Sequence, residues 1–113
     1  MKTKIPQVSK KVEPLLLAIK SKLSDLYGDN LHQLVLYGSY ARGKQHNESD
    51  IDLLLILNTM ISPYHEVAYM NDITAELTLE HDIFFSVIPT TYEKFNTMEN
   101  PLYENIKKDG VII

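Results

Sequence analysis

The sequence predicts a small α/β domain in which a mixed sheet of about three to five strands is flanked by helices. Two short apolar runs, Leu31 to Tyr37 and Ile51 to Leu57, have the length and content of buried strands. Longer segments around them, Leu15 to Tyr27 and Val67 to Leu77, repeat their apolar residues every three or four positions, the period of a helix packed on one face. Glycines, prolines and a polar cluster punctuate the spaces between these segments.

Each element has its own signal. Leu15, Leu16, Ile19, Leu23, Leu26 and Tyr27 form an amphipathic first helix, opened at Pro14 and stopped by Gly28. Leu31 to Tyr37 then reads as a buried strand entering a tight turn at Gly38-Ser39. The polar residues 44–49 are a loop, and Ile51 to Leu57 is a central strand, almost wholly apolar after Asp52. Ser62-Pro63 starts a second helix, a capping serine followed by proline in the first turn, continued by Val67, Met70, Ile73, Thr74 and Leu77. The β-branched and aromatic content of His81 to Ile88, ending before Pro89, predicts a third strand. Asn100-Pro101 opens a last helix through Lys108, stopped by Gly110, and Val111 to Ile113 adds an edge strand or simply packs.

The totals bound what such a domain can do. A chain of 113 residues fits one domain, residues 1–113, without room for a separate substrate domain. Fifteen acidic against eleven basic side chains leave a net charge of -4, so DNA is not expected as the main partner. No cysteine is present, which removes disulfides and cysteine-ligated zinc and fits a reducing compartment. No stretch approaches the roughly 18 apolar residues of a membrane span, and a soluble cytoplasmic protein is expected.

The segment that carries chemistry is Gly38-Ser39-Tyr40-Ala41-Arg42-Gly43, followed after the polar loop by Ser49-Asp50-Ile51-Asp52. Asp50 and Asp52 stand two apart at the head of a strand, so alternation puts both carboxylates on one face. Two like charges entering an apolar strand call for a cation, and Mg²⁺ takes carboxylate oxygens while completing its shell with water and phosphate. His32, His46, His65 and His81 are scattered, with none of the spacing of a zinc site. Gly38 lets the backbone approach a phosphate, Ser39 adds a hydroxyl donor, and Arg42 and Lys44 lie between this turn and the acids.

Gly38-Ser39, ten residues, then Asp50-Ile51-Asp52 resembles the signature of the DNA-polymerase-β-like nucleotidyltransferase superfamily. The resemblance is sharpest to its smallest branch, the minimal nucleotidyltransferases that accompany HEPN-domain proteins in toxin–antitoxin pairs, and it covers nearly the whole chain. It implies a polymerase-β-like fold, ATP as substrate and a two-metal Mg²⁺ site. By the same resemblance Asp50 and Asp52 bind metal and triphosphate, and Gly38 and Ser39 hold the β and γ phosphates. Arg42 would position phosphate or acceptor. The family's third carboxylate falls on Asp82, at the start of the third strand, or on Glu80 if the strand is shifted. Asp82 alone also reads as an ordinary turn or cap residue.

The function that the resemblance implies is transfer of AMP from ATP to a hydroxyl of a partner protein, the chain acting as antitoxin of a HEPN-type toxin. A catalytically silent module that neutralises its partner by occlusion is the alternative, and a nucleotide-sensing regulatory domain is a third reading. An apolar helix face would serve self-association as well as partner docking.

Overall fold

A computed structural model describes residues 12–43 and 50–113. Along the chain lie α1 (Glu13–Tyr27), a single 3₁₀ turn (Gly28–Asn30), β1 (Leu31–Tyr37), β2 (Ile51–Leu57) and α2 (Pro63–His81). They are followed by β3 (Phe85–Thr91), α3 (Tyr92–Thr97), α4 (Pro101–Asp109) and β4 (Val111–Ile112). The strands form one mixed sheet in the order β3-β2-β1-β4. β1 runs antiparallel to both β2 and β4, whereas β2 and β3 are parallel and joined through α2, the helical crossover that parallel neighbours require.

Alternation along β2 explains its unbroken apolar run. Ile51, Leu53, Leu55 and Leu57 face one layer, packed with Leu16, Ile19 and Leu23 of α1 and Met70 and Leu77 of α2. Leu54 and Ile56 face the other, where Phe95 of α3 and Tyr103 and Ile106 of α4 join Val35 of β1. Burying each such leucine contributes about 1.5–3 kcal/mol, so β2, covered on both sides, is the strand on which the fold depends most. Polar caps fix the helix starts: Ser62 Oγ accepts from the His65 amide at 3.1 Å, Thr91 Oγ1 from Lys94 at 3.2 Å, and Asn100 Oδ1 from Leu102 at 2.8 Å.

Three boundaries differ from the sequence-based expectation. Helix α2 continues to His81, and Asp82, expected to open the third strand, instead closes the helix: its φ is 51° and its amide donates to the Thr78 carbonyl at 2.9 Å. Leu77, Leu79 and Glu80 favour helix and carry α2 on to His81, while Ile83 and Phe84 lie between α2 and β3 in neither element. β3 therefore starts at Phe85 and runs past Pro89 to Thr91. It pairs on one side only, and an edge strand tolerates proline. The short helix α3 had no counterpart in the sequence reading, while Val111–Ile112 does form the edge strand β4. Lys44 and the rest of the 44–49 loop lie outside the described residues. Among the described residues no helix is long and apolar enough to cross a membrane.

Candidate functional site

Among the described residues the two sheet faces are covered unequally, and this places the site. On the face bearing Val35, Leu54 and Ile56, helices α3 and α4 cover the half toward the C-terminal end of β2. Asp50 and Asp52 lie on the same face at the other end, Asp52 half-buried and Asp50 exposed. The register puts Tyr37 of β1 and Ser86 of β3 directly beside Asp52, one on each side. Residues opposite each other in a sheet point to the same face, so Tyr37, Asp52 and Ser86 form a row across three strands.

The turn after β1 closes one side of this area. Gly38 has φ +77°, and its carbonyl accepts from the Arg42 amide at 3.2 Å. Tyr40 and Ala41 are buried in the α1/α2 layer and anchor the turn, while Arg42 stays exposed and Ser39 is half-buried. A Cβ at Gly38 would collide with the Asp52 carboxylate, Oδ2 above all. Glycine is thus required here twice over, once for its φ and once because the Asp52 carboxylate fills the space a side chain would take.

Electrostatics single out the same place. The Asp52 carboxyl is pushed above its ordinary value, first by burial and second by the negative charge of Asp50. Burial, and then the Asp52 charge, push the Tyr37 hydroxyl up to about 12. Among the described residues neither Asp50 nor Asp52 takes part in a salt bridge. Paired carboxylates with no counter-charge among the described residues, one of them held in a cradle that only glycine leaves open, are an oxygen donor set that fits a hard divalent cation such as Mg²⁺.

Of the residues singled out in the sequence, the fold brings together Gly38, Asp50 and Asp52, with Ser39 and Arg42 in the adjoining turn. Asp82 is not gathered with them: among the described residues no group of three or more histidines and acids could hold a metal ion. Glu80, the fallback, lies on α2 with its carboxylate 3.6 Å from His81 Nε2. Ser86 was missed altogether. The one local signal was a lone polar residue inside Phe84-Phe85-Ser86-Val87-Ile88, and its meaning depends on the parallel register with β2.

Comparison with known proteins agrees with this geometry. The profile of the polymerase β nucleotidyltransferase family matches residues 18–113. Two Methanocaldococcus jannaschii relatives bear the names "putative protein adenylyltransferase" MJ0604 and MJ0141. MJ0604 is 29% identical over 92% of this chain and 95% of its own length. MJ0141 is 32% identical over 81% of this chain and 88% of its own length. Among solved structures, a toxin–antitoxin crystal structure with AMP-PNP shares the fold at a TM-score of 0.60 and 19% identity, covering 83% of this chain and 68% of that one. With its sheet order, its Gly-Ser turn and its paired aspartates, the chain belongs to the polymerase β nucleotidyltransferase family.

Proposed function

We propose that this chain is a magnesium-dependent protein adenylyltransferase that moves AMP from ATP onto a hydroxyl of a partner protein, and that it serves as the antitoxin of a HEPN-type toxin. The observation that carries the reading is the Asp50–Asp52 pair on the open half of the sheet, with Asp52 seated against Gly38. The names of the two relatives support protein as acceptor, and the AMP-PNP-bound toxin–antitoxin neighbour supports the donor and the partner class. The cytoplasm, where ATP and such a partner meet, is the place of the reaction.

Asp50 and Asp52 are the residues that would hold Mg²⁺ and, with it, the triphosphate. Gly38 lets the backbone approach the β and γ phosphates, Ser39 donates its hydroxyl to them, and Arg42 steadies phosphate or acceptor from the exposed end of the turn. When bound, Mg²⁺ would supply positive charge to offset that of the triphosphate. The acceptor oxygen forms its bond to the α-phosphorus as the bond from that phosphorus to the bridging oxygen breaks. Pyrophosphate leaves, and the hydroxyl proton passes to water on the uncovered side of the sheet.

The test is transfer of label from ATP carrying it at the α-phosphorus, with the partner protein present. Label on the partner that requires Mg²⁺ and disappears in Asp50→Asn/Asp52→Asn supports the reading. A second reading, neutralisation by occlusion, has its own observation: an apolar groove of about 500 Å³ between the start of α2 and β3, lined by Pro63, Tyr64, Val67, Val87, Ile88 and Pro89. Tight partner binding without label transfer would favour it.

A further inference from the structure

The parallel register of β2 and β3 pairs Asp52 with Ser86. Neighbouring strands lie about 4.8 Å apart, and paired residues point to the same face, so the β3 group nearest the Asp52 carboxylate is a hydroxyl. Ser86 is exposed, whereas Phe85 before it is buried in the α1/α2 layer, which fixes the parity of the strand. Asp82 stands four positions earlier, before the start of β3, in the left-handed conformation that terminates α2.

We propose that this chain holds a single divalent cation, on Asp50 and Asp52, and that Ser86 occupies the β3 place beside it where a second ion would need a carboxylate. The proposal rests on the nucleotidyltransferase reading above. Two carboxylates carry the charge of one divalent ion. On the protein side a second ion lodged between β2 and β3 would meet only Asp52, already engaged, and a neutral serine oxygen with no charge to give. Asp82 does not compensate, since among the described residues it forms no three-acid group with the pair.

The experiment counts bound Mn²⁺ per chain, by equilibrium dialysis and the manganese paramagnetic signal, on the full chain saturated with α,β-methylene ATP. Wild type is expected to bind one ion, Asp82→Asn and Ser86→Ala to keep one, and Ser86→Asp to acquire a second. Two ions on wild type would overturn the proposal, and a fall to one in Asp82→Asn would identify Asp82 as the missing ligand. No ion and no nucleotide on wild type would instead sink the nucleotidyltransferase reading itself. Should Ser86→Asp not fold, the wild-type and Asp82→Asn counts decide the matter without it.

Discussion

Replacing Gly38 by alanine separates two costs that the structure predicts to fall on one residue. The backbone there has φ +77°, a conformation that costs an alanine about 1–2 kcal/mol. The added methyl also meets the Asp52 carboxylate, which must leave its rotamer for about a further 0.5–1.5 kcal/mol. Gly43 is the internal control: its φ is +68°, yet a Cβ there meets no described residue within 4 Å. Gly38→Ala should therefore destabilise by about 1.5–3.5 kcal/mol and Gly43→Ala by only about 1–2, both tolerable for a domain of about 5–15 kcal/mol. In urea denaturation the pair Gly38→Ala/Asp52→Ala should be more stable than the sum of its singles by about 1 kcal/mol, because removing the carboxylate removes the collision. Mn²⁺ affinity should drop at least tenfold, or about 1.4 kcal/mol, in Gly38→Ala and stay near wild type in Gly43→Ala. Equal losses in the two glycine variants, or strict additivity with Asp52→Ala, would refute the argument that the Asp52 carboxylate sits in the Gly38 cradle.

Burial and Asp50 raise the folded-state pKa of Asp52, so in metal-free protein its ionisation opposes folding. Its favourable contribution is complete below the unfolded carboxylate pKa of about 3.9 and is lost as pH rises through the folded value. Asp52→Asn should accordingly melt above wild type at pH 8 in EDTA, with the gap closing on acidification; a gap that widens in acid would reverse the sign of the argument. Tyr103→Phe removes the buried 2.8 Å hydrogen bond to Thr90 Oγ1 and should cost about 1–3 kcal/mol in urea denaturation with an unchanged slope. Leu55→Ala, at a fully buried position of the central strand, should cost about 2–5 kcal/mol by the same assay. Asp82→Asn removes a negative charge from the C-terminal end of α2 and should raise stability by about 0.3–1 kcal/mol, read as an increase in melting temperature.

What the sequence makes legible here follows the range of the forces involved. β1, β2 and the starts of α2 and α4 rest on local rules, namely short apolar runs and side-chain caps, and these elements stand where such rules put them. The Gly38 turn and the Asp50–Asp52 pair were readable for the same reason: the chemistry lies within fifteen consecutive residues. The end of α2 was not readable, because helix-favouring Leu79 and Glu80 run almost directly into Ile83 and Phe84, which favour strand, with no local signal to place the boundary between them. The misplacement of Asp82 is a direct consequence. So is the omission of Ser86, whose position beside Asp52 exists only in the register of two strands that are distant in sequence. Pro89 misled in a related way, since proline excludes a central strand but not an edge strand, and the sheet order is a tertiary fact.

Everything proposed here rests on Asp50 and Asp52 holding, on the open half of the sheet, the ion that carries ATP. Equilibrium binding of α,β-methylene ATP to wild type and to Asp50→Asn/Asp52→Asn, each with Mg²⁺ and with EDTA, tests it most directly. Wild type should bind saturably in Mg²⁺ alone, with binding lost in EDTA and lost in the double variant while its fold melts as a single transition. Equal binding by a folded double variant, or binding to wild type that ignores EDTA, would contradict it.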